Sequence, residues 1–156
     1  MNVEYQVEDP GAFVEELKEI IPEHYDELCV TKDFPLAPDW EAYGRMHMAG
    51  IVRCITVRDA DSRALIGYAI FLVHPHLHYK TCKTAFEDIY FLRKEHRLGR
   101  TGIRLFKYAE EVLRKEGVNR IIMHTKLHLD NSRLFEYLGY KNTDKLYTKI
   151  LSTEPV

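Results

Sequence analysis

The sequence predicts an α/β (α+β) fold in which helices pack on the faces of a mixed sheet. The clearest evidence is a helical pattern from Gly102 to Leu113, where apolar residues recur at the i, i+3, i+4 and i+7 spacing of one helix face. β-rich segments lie before and after this helix, and a shorter helix separates the last two of them. Strands that alternate with helices in this way favour a mixed sheet covered by helices.

The N-terminal half predicts helices followed by a hairpin. Asp9 and Pro10 favour a helix start, and Pro22 is expected to break that helix. Two shorter helices and an antiparallel hairpin with a polar turn are expected after it. The helices cover residues 23–28 and 39–49, and the two strands of the hairpin cover residues 51–59 and 65–74.

The C-terminal half predicts a strand, the long helix and three further elements. The strand leads through Glu87 towards a basic turn, and Gly117 ends the long helix that follows the turn. The remaining elements are a strand over 119–125, a short helix over 130–138 and a last strand over 140–151.

Length and composition favour one enzyme-sized domain over residues 1–156. A chain of this size buries enough surface for its own core. Its 22 basic and 24 acidic residues leave a net charge of −2, which argues against a general nucleic-acid or anionic-membrane binder. Three cysteines without close spacing favour a reduced compartment. The N-terminus lacks the basic and apolar regions of a signal peptide, so we expect a cytoplasmic protein without a membrane span.

The junction between the strand at Glu87 and the long helix predicts an anion site. A helix start leaves backbone N–H groups without intrahelical partners, and its dipole adds positive charge. Gly99 and Gly102 allow a ligand to approach the backbone closely, and arginines surround the turn. The alternative interpretation is an ordinary strand-to-helix turn with solvated arginines. Those arginines are Arg97, Arg100 and Arg104.

Two segments resemble the GCN5-related N-acetyltransferase (GNAT) superfamily. The turn Arg97-Leu98-Gly99-Arg100-Thr101-Gly102 is similar to the family's Gln/Arg-x-x-Gly-x-Gly/Ala turn, with Arg100 where a glycine is usual. The segment from Asn131 to Tyr140 is similar to its Asn-bearing helix with a Gly-Phe/Tyr end. The resemblance covers residues 83–151. The small size of the chain and its segment Tyr147-Thr148-Lys149 are similar to those of bacteriophage-encoded members of the family. Such a member would act in the host cytoplasm.

The resemblance implies a mixed, mostly antiparallel twisted sheet of about six or seven strands with helices on both faces. Its fourth and fifth strands would splay around acetyl-CoA, between residues 89–93 and 121–126. Backbone amides of the turn would hold the pyrophosphate, and Asn131 would orient the far side of acetyl-CoA. The residues expected to bind acetyl-CoA are Tyr90, Phe91, Leu92, Arg97, Leu98, Gly99, Arg100, Thr101, Gly102, Ile103, Arg104, Asn131 and Phe135.

The same resemblance implies direct acetyl transfer to an amine of a small molecule or protein. Many members use a tyrosine as general acid at the position of Phe135, and Tyr137 cannot simply replace it, because it lies about 200° around the helix. An ammonium acceptor must lose a proton before it can attack. The candidate bases are Glu87, Asp88 and His124, of which Glu87 is preferred. A backbone N–H near Phe91 is the expected oxyanion donor.

Adjacent residues of a strand point to opposite faces, so we expect at most one of Glu87 and Asp88 to face the cleft directly. The other would form a structural salt bridge. In family members the helices before the hairpin line the acceptor groove, so aromatic and apolar residues there are either candidate substrate contacts or core residues. They are Phe34, Leu36, Trp40 and Tyr43.

Three alternatives complete the expectations. The run His74-Pro75-His76-Leu77-His78 could suggest zinc, but alternate strand residues lie about 7 Å apart, so we expect a polar loop and no metal. Another acyl-CoA could replace acetyl-CoA, depending on the room beyond the thioester. The lack of a hydroxyl at Phe135 supports an alternative to the enzyme, a module of reduced catalytic activity that binds a CoA species or a partner protein. Exposed edge strands would permit a homodimer.

Overall fold

A computed structural model of the chain describes residues 2–153. Within that range the chain forms five strands and four α-helices. In chain order these are β1 (Val3–Glu8), α1 (Pro10–Leu28), α2 (Trp40–Met48), β2 (Val52–Asp59), β3 (Leu65–His76), β4 (Tyr79–Leu92), α3 (Thr101–Lys115), β5 (Arg120–Ile122) and α4 (Ser132–Tyr137). A short 3₁₀ turn, Lys94–His96, lies between β4 and α3.

The strands form one sheet in the order β1-β2-β3-β4-β5. The first four are antiparallel neighbours, and β5 runs parallel to β4. The mixed, mostly antiparallel sheet confirms the predicted fold class. It has five strands among the described residues, where six or seven were expected.

Each face of the sheet carries its own apolar cluster. On one face, Phe13, Leu17 and Ile20 of α1 pack against buried residues of β2, β3 and β4. On the other face, Leu105 and Leu113 of α3 pack with residues of the same strands and of α4. The apolar stripe that predicts α3 is therefore the stripe that the sheet buries.

α1 corrects the prediction that Pro22 breaks the first helix, because the helix continues to Leu28. An internal proline costs one backbone hydrogen bond and a clash, together about 3 kcal/mol. The buried row on this helix continues past the proline to His24, so packing on both sides of Pro22 holds one helix together.

The two ends of the chain also differ from the prediction. β1 was not predicted, and it forms because its residues pair with β2 along the full range from Val3 to Glu8. The last strand, expected over 140–151, is wrong: residues 141–150 are exposed and form no strand. β-forming residues adopt a strand only where a neighbouring strand offers pairing and packing, so their pattern alone does not decide the outcome.

The hairpin of β3 and β4 is longer than predicted. β3 runs to His76 and β4 begins at Tyr79, so the histidine run ends a strand and forms a tight turn instead of a polar loop. Among residues 2–153, no group of three or more His, Cys, Asp or Glu side chains is arranged to hold a metal ion. No helix within this range is both long and apolar enough to span a membrane.

Two irregularities of β4 shape the candidate site. β5 pairs with β4 at Thr84, Ala85 and Phe86, so from Glu87 onwards no other strand of the described residues pairs with β4 on that side. The pairing of β3 with β4 also slips between Ile70 and Phe71, which leaves Asp88 as an extra residue. Such a bulge redirects the side chains around it.

Candidate active site

A cavity of about 360 Å³ lies where β5 separates from β4. This volume lies within the range of small-molecule sites. Its walls come from the end of α1, from β4, from the start of α3 and from the segment between β5 and α4. The predicted site residues that border it are Glu87, Asp88, Tyr90, Phe91, Leu92, Arg97, Gly102, His124 and Asn131.

Glu87 and His124 form the most buried charged contact in the cavity. The Glu87 side chain is 1% exposed, and its Oε2 accepts a hydrogen bond from the His124 backbone N–H at 3.3 Å. The same oxygen lies 2.7 Å from Nδ1 of the His124 ring, although the angle is poor for a hydrogen bond. This carboxylate raises the pKa of His124. The pair joins a carboxylate and a titratable imidazole on one cavity wall.

Asp88 lies at the bulge and contacts the other face of the sheet. The Tyr43 hydroxyl donates a hydrogen bond to its Oδ2 at 2.5 Å. Both Asp88 and Glu87 border the cavity, where at most one of the two side chains was expected to face it directly. Their side chains contact opposite faces of the sheet. The cavity opens to both faces because, in the described part of the chain, β4 is unpaired on the β5 side beyond Phe86.

The turn before α3 has the backbone geometry that the sequence predicts for an anion site. Among the described residues, no protein acceptor is present for the backbone N–H groups of residues 98–103. The first helical bond of α3 runs from the Arg104 N–H to the Arg100 carbonyl. Gly99 has φ +91°, a left-handed conformation that favours glycine, whereas Arg100 has an ordinary φ of −108°. The arginine in place of the usual glycine is therefore unstrained.

Arg97 is anchored to α1 and is not a mobile charge. Its guanidinium donates two parallel hydrogen bonds to the Glu27 carboxylate, at 2.6 and 2.8 Å. Its Nε donates to the Leu92 carbonyl at 2.6 Å, so Arg97 links the end of β4 to α1. Arg100 and Arg104 remain exposed beside the turn. The exposed positive charge beside the turn therefore comes from these two residues.

Of the seven other predicted residues from Leu98 to Arg104, one borders the cavity. It is Gly102, and a side chain built there would meet no atom within 4 Å. The others belong to the turn or to the first turn of α3. They are Leu98, Gly99, Arg100, Thr101, Ile103 and Arg104.

Asn131 and Phe135 differ in how they relate to the cavity. Asn131 borders it and donates from Nδ2 to the Tyr90 hydroxyl oxygen at 3.0 Å. Phe135 is buried behind Tyr90, with the two rings edge to face at 5.9 Å. Tyr137 is 62% exposed on another side of α4. Tyr137 therefore cannot supply the hydroxyl that Phe135 lacks, as the sequence predicts.

Sequence reasoning missed the contribution of α1, because it ended that helix at Pro22. His24, Glu27, Leu28 and Cys29 all border the cavity. Burial lowers the pKa of His24 to about 4, so its ring is neutral at physiological pH. The signal was available, because His24 continues the apolar row of α1 four residues after Ile20.

The expected acceptor-groove residues lie outside the cavity wall. Trp40 and Tyr43 pack against the core under α2, as the alternative interpretation expected. Phe34 and Leu36 are exposed in the segment between α1 and α2. Of these four residues, Tyr43 alone has a hydrogen bond to a predicted site residue among the contacts described here.

Comparison with known proteins decides the family. The family model described as "Acetyltransferase (GNAT) family" matches residues 14–140. The chain belongs to the GNAT family. It is accordingly an acyltransferase, and the GNAT turn, helix and Asn-bearing segment found above all lie inside the matched range. No curated protein matches the chain in sequence.

Solved structures share the GNAT fold at low sequence identity. A ribosomal-protein-alanine N-acetyltransferase from Brucella melitensis biovar Abortus 2308 superposes with a TM-score of 0.73 at 12% identity, covering 97% of this chain and 100% of its own. An aminoglycoside acetyltransferase from an uncultured soil sample, solved with sisomicin, has a TM-score of 0.73 at 10% identity, covering 96% and 97%. A predicted acetyltransferase from Clostridium acetobutylicum, solved with acetyl-CoA, has a TM-score of 0.69 at 11% identity, covering 96% and 97%.

Proposed function

We propose that this protein is an N-acetyltransferase that moves an acetyl group from acetyl-CoA to a primary amine of a small molecule or protein. Transfer is direct, within a ternary complex, and residues 1–156 act as one domain. The observation that carries the proposal is the row of backbone N–H groups of residues 98–103 that has no acceptor within residues 2–153, at the start of α3 beside the open edge of β4.

The diphosphate of acetyl-CoA suits this row of N–H groups. A helix start concentrates unpaired donors and the positive end of the helix dipole, both of which favour a phosphate group. Exposed Arg100 and Arg104 add charge beside it. From there the thioester arm would follow the unpaired edge of β4 from Leu92 towards Glu87, because that edge offers backbone groups without a strand partner.

The acceptor amine meets the carboxylates at the far end of β4. An ammonium with a pKa near 10.4 must lose a proton before it attacks the thioester. Glu87 and His124 are placed to take it, with neutral His124 as the form that accepts a proton. Asp88, held by Tyr43, adds a second negative charge that favours a cationic acceptor. A backbone N–H near Phe91 would stabilise the oxyanion.

The relatives support the donor more than they support any one acceptor. The Clostridium acetobutylicum neighbour was solved with acetyl-CoA, which agrees with the proposed donor. The other two neighbours are named for different acceptors, a ribosomal protein and an aminoglycoside, so the fold does not select between protein and small-molecule amines.

Calorimetry with acetyl-CoA and desulfo-CoA tests the donor site. We expect both to bind the wild-type protein. Gly102→Asp should weaken binding about tenfold or more, since an acidic side chain at the helix start repels a diphosphate. The same charge favours the helix dipole, so its melting temperature should not fall. Gly44→Asp introduces the same charge in α2, outside the cavity wall and with no atom within 4 Å of the added carbon, so it is the matched control and should bind normally. Failure of the wild type to bind either compound would refute the proposal.

Phe135 favours a second candidate, a catalytically reduced module that binds a CoA species or a partner protein. Thiol release with a panel of amines separates the two candidates. Turnover that falls in Glu87→Gln or Asp88→Asn supports the enzyme. Tight binding of acetyl-CoA without turnover on any amine, together with no effect of either variant, supports the binding module.

A further inference from the structure

Tyr90 is a tyrosine of the cavity wall whose ring is fixed by packing. It lies on β4 between the bulge and the phosphate-binding turn, and it borders the cavity. Its ring packs edge to face against Phe106 of α3 at 5.3 Å and against Phe135 of α4 at 5.9 Å. Because two aromatic rings hold it, the phenol has one preferred direction.

The hydrogen bonds around Tyr90 show that its oxygen accepts. Nδ2 of Asn131 lies 3.0 Å from the Tyr90 oxygen and 3.5 Å from the Leu129 carbonyl. A carbonyl only accepts, so the Asn131 atom that faces both groups is the NH₂ group and not the amide oxygen. It follows that Asn131 donates to Tyr90.

A short chain of hydrogen bonds keeps Asn131 in this orientation. Its backbone N–H donates to Thr125 Oγ1 at 2.8 Å, and that hydroxyl donates to the Leu129 carbonyl at 3.0 Å. The oxygen of Tyr90 is therefore satisfied by Asn131, and the Thr125 hydroxyl, whose own hydrogen goes to the Leu129 carbonyl, is the neighbouring neutral group that can accept from the Tyr90 O–H. An anionic ligand in the cavity accepts a hydrogen bond more strongly than the neutral Thr125 hydroxyl does, so Tyr90 can donate its O–H to such a ligand.

From this geometry we infer that Tyr90 is the catalytic acid that protonates the departing sulfur of coenzyme A, an inference that rests on the proposed function. The amine nitrogen forms a bond to the acetyl carbon, and the carbon–sulfur bond breaks with its electron pair on sulfur. The phenol O–H transfers its proton to that thiolate. The acceptor nitrogen releases a proton, and water carries this proton to the phenolate, so charge and protons balance.

Other acidic groups nearby are already committed. Glu87 is paired with His124, and Asp88 accepts from Tyr43. Phe135, where the family resemblance expects a hydroxyl, has none, but its ring packs directly against Tyr90. Burial raises the pKa of Tyr90, so the phenol is protonated at neutral pH and able to donate.

Tyr90→Phe tests the inference in the full-length protein. We expect kcat to fall by about 10²-fold, the lower end of what a general acid contributes, while KM for acetyl-CoA stays within about twofold. Incorporation of 3,5-difluorotyrosine at position 90 keeps the shape of the ring but makes the phenol more acidic. It should move the alkaline limb of the kcat profile to lower pH. Tyr108→Phe, a tyrosine of α3 outside the cavity wall, is the matched control and should behave as wild type.

The outcomes separate this inference from the proposed function. If the wild type neither binds acetyl-CoA nor acetylates any amine, the proposed function fails and this inference fails with it. If the wild type transfers acetyl while Tyr90→Phe keeps its kcat, the inference alone is overturned. A raised KM with unchanged kcat, or an alkaline limb that the fluorinated residue does not move, would also overturn it, because either result indicates a binding or structural role.

Discussion

Gly67→Ala is a substitution that should disturb both stability and the site. Gly67 lies on β3 opposite Leu92 of β4 and is buried. A methyl group built there would lie 2.7 Å from the Phe91 carbonyl oxygen and 2.7 Å from Leu92 Cδ1. The leucine side chain can turn away, but the carbonyl oxygen belongs to the backbone of β4. The added methyl therefore forces the two strands apart.

The size of the effect follows from these distances. The contact with the carbonyl is about 0.7 Å shorter than the 3.4 Å at which ordinary contact begins. Overpacking of this kind typically costs about 1–3 kcal/mol. For a chain of this length that corresponds to a melting temperature about 2–12 °C lower. Phe91 and Leu92 border the cavity, and a shift of this size exceeds the ~0.5 Å tolerance of a catalytic site. We therefore expect turnover to fall about tenfold.

Thermal unfolding and steady-state kinetics measure the two effects. Gly44→Ala is the matched control, because an added methyl in α2 meets no atom within 4 Å. It should raise the free energy of unfolding by about 0.5–1 kcal/mol, as alanine does in a helix interior. A Gly67→Ala protein that melts at or above the wild-type temperature would refute the reasoning, because it would show that β4 yields to the methyl without cost.

Three further predictions concern charged groups. Glu87→Gln removes the carboxylate that raises the pKa of His124, so the acidic limb of the rate profile should move to lower pH. A limb that stays in place would exclude His124 as the titrating base. Although burial opposes it, hydrogen bonds from Arg58 and Thr56 lower the pKa of Glu8 to about 2. The ionised Glu8 carboxylate therefore stabilises the fold fully above pH 4.5, its ordinary pKa, and this stabilisation is lost as the pH falls towards 2. Denaturant titrations at decreasing pH should show that the free energy of unfolding falls more steeply in wild type than in Glu8→Gln. Equal slopes of this free energy against pH would contradict the lowered pKa of Glu8. Glu27→Gln should cost about 1 kcal/mol and weaken acetyl-CoA binding, because the turn loses its anchor on α1. Unchanged calorimetric affinity would show that the anchor does not position the turn.

The parts of the fold that sequence reasoning predicted are those with strong local signals. α3 follows from its apolar stripe, and the hairpin of β2 and β3 follows from two β-rich runs around a polar turn. The turn before α3 follows from two glycines beside a helix start. Elements that depend on distant partners were predicted poorly: β1 needs β2 to exist, and residues 141–150 have the pattern of a strand without forming one.

The candidate site divides in the same way. Glu87, His124 and Asn131 were chosen from the sequence and do border one cavity. Their partners could not be predicted, because the links from Tyr43 to Asp88 and from Glu27 to Arg97 join residues far apart in the chain. The direction of a hydrogen bond, on which the interpretation of Tyr90 depends, is likewise a property of the assembled side chains.

By itself the sequence determined the order of the central elements, the position of the turn and the chemical groups available to the site, because periodicity, glycines and helix starts act over a few residues. Only the tertiary structure decided that β5 leaves β4 after Phe86, that a bulge lets both carboxylates border the gap, and that a neutral His24 reaches it from α1. These outcomes depend on packing between segments that are distant in sequence, which compete for the same surfaces, and no local pattern records which of them prevails.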